Sequence, residues 1–183
     1  MQDKQNIYFL HGLESSGNGT KGQYFGTQFP TMIRPDFTGT LAQRLKQLST
    51  MCELQNDLVF VGSSFGGLMA CCFTGNNREK VKRLILMAPA LNFEDYSPPE
   101  QVMDVPTLLI IGQHDDVTPL DPVLGLAERT FSNLTIWICD DDHMLHDSFY
   151  QLEWEKLLNP AVELATLAPP AAILKSTEEL ARE

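Results

Sequence analysis

The sequence predicts an α/β protein built on a doubly wound, mainly parallel sheet of about six strands with helices on both faces. Two observations carry the prediction. Short apolar runs of strand length recur along the chain, and the segments between them are long enough for crossover helices, several with apolar residues at helical spacing. Parallel neighbours require such crossovers, because a tight hairpin joins only antiparallel strands.

The first run, Ile7 to Leu10, stops at His11-Gly12, and Met32 to Pro35 is a weaker strand candidate. Leu41, Leu45, Leu48 and Cys52 then share one helical face. Val59 to Val61 is the next strand, and the apolar LMACCF that follows its glycine corner suits a helix. Leu84 to Met87, Leu108 to Ile111 and Thr135 to Ile138 are the remaining strands, each short enough to be buried on both faces. Leu124, Ala127, Thr130 and Phe131 mark a helix less cleanly, and Asp147 to Leu158 reads as the final one. Residues 160–183 contain a Pro-Pro break and are expected as a packed C-terminal helix or a loose tail. Pro89 to Val105, rich in proline and acidic residues, is the longest irregular connection and is too short for a lid domain.

A chain of 183 residues, 43% of them hydrophobic, suits one domain spanning 1–183 with a core over about 6–157. The formal charge of −11 and the lack of a Lys/Arg cluster argue against nucleic acid or anionic lipid as partner. The amino end lacks the apolar stretch of a signal peptide, and no run reaches the ~20 apolar residues of a membrane span. The expectation is a soluble, cytoplasmic protein without membrane insertion. Cys71 and Cys72 are neighbours, and Cys52 and Cys139 lie in apolar segments, a pattern of reduced thiols rather than of disulfides or zinc ligands. The oligomeric state is not legible.

The chemistry starts at GSSFGG, residues 62–67, between an apolar strand and a helix-compatible segment. Gly62-x-Ser64-x-Gly66 in that setting is the pattern of a nucleophile elbow, and its spacing selects Ser64 over Ser63. A phosphate-binding loop would need Lys and then Ser or Thr after the last glycine, where Leu68 and Met69 stand. A serine hydroxyl is a weak nucleophile at neutral pH and requires a base and a group to orient it. Asp115 follows one strand and His143 the next, in the order Ser, Asp, His. Asp116 competes with Asp115, and His146 with His143; the first of each pair is nearer its strand. A turn into a helix capped near Thr118 favours Asp115. The histidines among Asp140, Asp141, Asp142 and Asp147 also have the composition of a metal site, but the serine order favours the base, so neither metal nor cofactor is expected. The backbone N–H groups of Phe65 and Leu13 are the candidate oxyanion donors. His11, Gly12, Asp36, Phe37 and Leu91, the last opening the stretch to Tyr96, are expected around the substrate pocket.

HGLESS, GSSFGG, the APA that ends at Ala90, GQHDDV and DDDH together resemble the short bacterial esterases of the α/β-hydrolase superfamily over about residues 6–157. The resemblance implies a reduced fold without that family's first strands, an open site without a lid, and a triad of Ser64, Asp115 and His143. The acidic run before His143 departs from the pattern, where glycine is common. A small-molecule acyl substrate is implied, an ester or thioester of a small or medium acyl group. Amide, lactone and carbon–carbon cleavage stay open at this point, as does a non-catalytic ligand-binding or interaction protein on the same fold.

Overall fold

The computed structural model describes residues 6–170 and 173–176. Five parallel strands are hydrogen-bonded in chain order: β1 (Asn6–Leu10), β2 (Leu58–Ser63), β3 (Val81–Met87), β4 (Thr107–Gly112) and β5 (Leu134–Cys139). A sixth, β6 (Ile173–Ser176), pairs antiparallel with β5.

Six strands match the expected number, but the sixth is not the expected one. Met32 to Pro35 contributes only an isolated parallel bridge between Ile33 and Tyr8 on the outer edge of β1. Pro35 has no N–H to extend that ladder. The segment after Pro160, expected as a helix or tail, instead contains β6, which covers an edge of β5 that would otherwise expose unpaired N–H and C=O groups.

Successive strand residues point to opposite faces, so an interior strand with both faces covered is apolar throughout. In β2, Leu58 and Phe60 enter one core with Leu48 of α2 (Leu41–Met51), Leu68 of α3 (Phe65–Asn76) and Val123 of α4 (Leu120–Thr130). Val59 and Val61 enter the other, with Phe25 of α1 (Thr20–Gln28), Phe149 of α5 (Ser148–Gln151) and Trp154 of α6 (Trp154–Leu157). The helix expected over Asp147 to Leu158 is therefore two short ones. Leu152 between them is extended, with φ −72° and ψ 136°, which lets Phe149, Leu152 and Trp154 all reach the core. Trp154 and Phe25 pack nearly perpendicular with ring centres 4.7 Å apart, and Trp154 donates its indole N–H to the Phe149 carbonyl. Arg83 of β3 is buried on this side and ties the chain after α6 to the sheet by donating to the carbonyls of Leu157, Asn159 and Val162.

The chain leaves β1 through α1 toward the Ile33 bridge, then returns through α2 to β2 on the other side of β1. Crossovers of one hand running in opposite directions put their helices on opposite faces. The reversal opens a crevice at the carboxyl ends of β1 and β2, the usual ligand position in such sheets. Among the described residues no helix is long and apolar enough to cross a membrane.

Candidate active site

Ser64 stands between the last residue of β2 and the first of α3, with φ 53° and ψ −115°. A non-glycine residue held there costs about 1–3 kcal/mol and persists only where its surroundings over-determine it. Here the Ser64 N–H donates to the Met87 carbonyl at 2.9 Å, and the Ser64 carbonyl accepts from Gly67, Leu68 and Ala90. The glycines allow the close approach: a Cβ on Gly66 would lie 2.0 Å from the Leu10 carbonyl oxygen, and one on Gly62 2.6 Å from that of Gly66.

The Asp115 side chain, past the end of β4, is fully buried. Its Oδ1 accepts from the N–H groups of Val117 and Thr118 at 2.9 and 2.7 Å, and its Oδ2 accepts from the Thr118 hydroxyl at 2.5 Å. The same Oδ2 lies 2.8 Å from His143 Nδ1, and His143 Nε2 lies 3.0 Å from Ser64 Oγ. Thr118 is thus an orienting hydroxyl rather than a helix cap, since the cap of α4 is Pro119. Asp116 is exposed. His146, with its side chain 67% exposed, pairs with Asp142, while His114 pairs with Asp140.

The loop that carries His143 is organised by Asp141. Its oxygens accept from the N–H groups of Asp142, His146, Asp147 and Ser148 at 2.9 to 3.1 Å. Burial pushes this carboxyl up, but bonds from Ser148, Asp142 and Asp147 outweigh it and hold the group below its ordinary value. Leu145, at φ 51°, is pinned there by complete burial in the core. From α1, the Lys21 ammonium donates to the Met144 carbonyl at 2.5 Å. Asp141, Asp142 and His146 offer ligand atoms within 4.8 Å of one another, but both Asp141 oxygens are committed to these N–H groups.

Ser64, His143, Leu13 and Phe65 line one cavity of about 770 Å³. Gly12 lines it too, with Phe93, Val117 and Met144 as its larger apolar walls and Glu14, Lys21, Asn92 and Glu94 as polar ones. His11, Asp36, Phe37 and Leu91, expected at the pocket, are not in its lining. Phe37 and Leu91 are core residues, 2% and 0% exposed. The Asp36 carboxylate accepts from Gly17 N–H at 2.5 Å and holds the loop before α1. His11 is buried, its Nδ1 2.7 Å from the Gly12 carbonyl and its Nε2 accepting from Phe37 N–H at 2.9 Å. That assigns the ring proton to Nδ1 of a neutral imidazole, and burial moves its pKa down from 6.5 in agreement. Lys21, Met144 and the bonding of Thr118 were missed. A Thr three residues after an Asp at a strand end is a readable turn signal, whereas Lys21 lies 123 residues from the carbonyl it holds.

Phe65 N–H is the first in α3 and has no intrahelical acceptor. Among the described residues, nothing accepts from the N–H of Phe65 or of Leu13. The thiols are no competing nucleophiles, because burial raises Cys52, Cys72 and Cys139 to about 11 and Cys71 upward as well.

No family model and no curated protein matches the chain by sequence. Solved structures do match. The mouse protein "alpha/beta hydrolase domain-containing protein 10" superposes with a TM-score of 0.66 at 19% identity, covering 79% of this chain and 84% of that one. An α/β-superfamily hydrolase assigned in Xanthomonas campestris pv. campestris gives 0.67 at 23% identity, over 80% and 91%. A monoacylglycerol lipase of Paleococcus ferrophilus gives 0.62 at 15% identity, over 86% and 92%. With its parallel sheet, strained serine corner and flanking helices, this chain has the α/β-hydrolase fold in a reduced form.

Proposed function

We propose that the protein is a serine hydrolase cleaving a carboxylic ester or thioester of a small or medium acyl group. The observation that carries this reading is the line of contacts at the cavity wall, Ser64 Oγ to His143 Nε2 at 3.0 Å and His143 Nδ1 to Asp115 Oδ2 at 2.8 Å. His143 takes the hydroxyl proton as Ser64 Oγ attacks the acyl carbon, and Asp115 stabilises the imidazolium. The N–H groups of Phe65 and Leu13 receive the negative charge that develops on the carbonyl oxygen. The imidazolium then protonates the leaving alcohol or thiol, and water releases the acid by the same steps.

His11 orients one of those donors. The Gly12 carbonyl and the Leu13 N–H belong to a single planar peptide unit, so fixing the oxygen fixes the N–H. The His11 Nδ1–H does this, while Phe37 N–H holds the tautomer by donating to Nε2. The cavity volume of about 770 Å³ and its apolar walls suit a substrate of modest size. Residues 92–94 form one wall from the connection between β3 and β4, in place of a separate lid.

A panel of p-nitrophenyl esters of increasing acyl length, with acyl-CoA and amide substrates beside it, tests the reading. Turnover is expected for short and medium acyl groups, lost in Ser64→Ala and His143→Gln and kept within about twofold in His146→Gln. Equal turnover by Ser64→Ala would sink the proposal.

A further inference from the structure

Leu13 and Phe65, the two proposed oxyanion donors, share a neighbour that the triad does not use. Arg44, on the first turn of α2, is 4% exposed. Its Nη2 donates to the Leu13 carbonyl at 3.2 Å, its Nε donates to the Gly39 carbonyl at 3.0 Å, and its guanidinium lies 5.3 Å from the centre of the Phe65 ring. Its Nη1 is buried without a hydrogen-bond partner. Among the described residues it forms no ion pair; the only pairs are made by Lys82, Lys156 and three histidines.

A buried cation without a direct carboxylate contact is expensive, and the Glu14 carboxylate offsets only part of the burial that pulls the Arg44 pKa down. Arg83 is also buried without an ion pair and serves structure, so what sets Arg44 apart is its place against Leu13 and Phe65. Leu13 also needs an anchor that its own side chain does not supply, being 48% exposed. The cavity beside it is lined by the carboxylates of Glu14 and Glu94, whose field opposes a developing oxyanion.

Resting on the hydrolase reading above, we infer that Arg44 is a positioning residue of the oxyanion hole: it fixes the Leu13 backbone through its carbonyl and supplies a permanent positive charge behind both donors. His11 holds the peptide that carries the Leu13 N–H and Arg44 the peptide after it, so the residue that joins them is set from both sides. The Glu14 carboxylate offsets part of this charge through space in the resting protein; the tetrahedral intermediate adds a further negative charge beside both donors, so the added stabilisation is largest in the transition state.

The test uses the full chain, wild type and with Arg44→Met, Arg44→Gln and Arg44→Lys, on p-nitrophenyl acetate, with phenylboronic acid as a tetrahedral-adduct probe and thermal unfolding alongside. Arg44→Met keeps an apolar stem against Phe65 but removes charge and donor; kcat is expected to fall about 10- to 100-fold with KM within about twofold. The boronate is expected to weaken by a similar factor. Arg44→Gln, which keeps a donor without charge, should fall between Met and wild type, and Arg44→Lys should restore most of kcat. If Arg44→Met proves unfolded, the Gln and Lys variants decide by the same split. A wild type without Ser64-dependent turnover overturns the hydrolase reading and takes this role with it. A wild type that turns over beside folded Met or Gln variants of unchanged kcat, or variants whose loss lies only in KM, overturns the role of Arg44 alone.

Discussion

The Ser64 corner and the His143 loop meet at 3.0 Å between Ser64 Oγ and His143 Nε2, yet they are built by different physics. At the corner, position is set by exclusion: Ser64 is held at φ 53° by backbone bonds, and glycines leave no room for another path. The His143 loop is set by attraction. A single carboxylate, Asp141, gathers four N–H groups, and an ammonium from α1 clamps the Met144 carbonyl. Shape places the serine, whereas charge places the histidine. Steric changes should therefore break the corner abruptly, while charge changes should loosen the loop by degrees and in a pH-dependent way.

The largest effect should come from Gly66→Ala. Its Cβ would meet a carbonyl oxygen at 2.0 Å, and backbone rather than a flexible side chain must move. A loss of about 3 kcal/mol or more is expected from urea unfolding, with turnover down over about a hundredfold. A variant of wild-type stability would show the corner to be held less sterically than described.

Asp141→Asn should have an intermediate effect. One amide oxygen cannot replace two carboxylate oxygens, and about 1–3 kcal/mol of stability should go with the orphaned N–H groups. The sign of the pH dependence follows from the depressed carboxyl. The unfolded chain takes up its proton first, near 3.8, so the stabilisation is fully present above that pH and is lost as pH falls through the lower folded value. Unfolding midpoints between pH 6 and pH 3 should fall more steeply in wild type than in Asp141→Asn; parallel slopes would remove Asp141 from this role.

The smallest effect should come from Lys21→Met, which removes one bond to the loop while Asp141 remains. A fall in kcat of about two- to fivefold with unchanged unfolding is expected, since exposed or partly exposed polar tethers contribute little to stability. A loss as large as that of Asp141→Asn would mean that the clamp from α1, and not the carboxylate, governs the loop.

The same contrast explains what could be read from the sequence. The β-strands were legible because two covered faces demand uninterrupted apolar runs, as in residues 58–61. Ser64 was legible because exclusion leaves a spacing of glycines in the chain. Asp115 and His143 could be read as candidates because each follows a strand, whereas the burial of Asp115 and the exposure of His146 are visible only in the structure. Attraction leaves no such trace. Nothing near Lys21 announces the Met144 carbonyl, and the reach of His11 to Phe37 spans 26 residues. That reach turned His11 and Phe37 from expected pocket residues into scaffold. β6 was missed because an edge strand needs no core pattern of its own, only a free neighbour to pair with.

The most direct measurement of the central claim is labelling of the folded protein with a fluorophosphonate, followed by mass mapping of the modified peptide. A single adduct on Ser64 is expected, absent from Ser64→Ala and slowed strongly in His143→Gln. No adduct on the folded protein, or labelling that persists in Ser64→Ala, would contradict it.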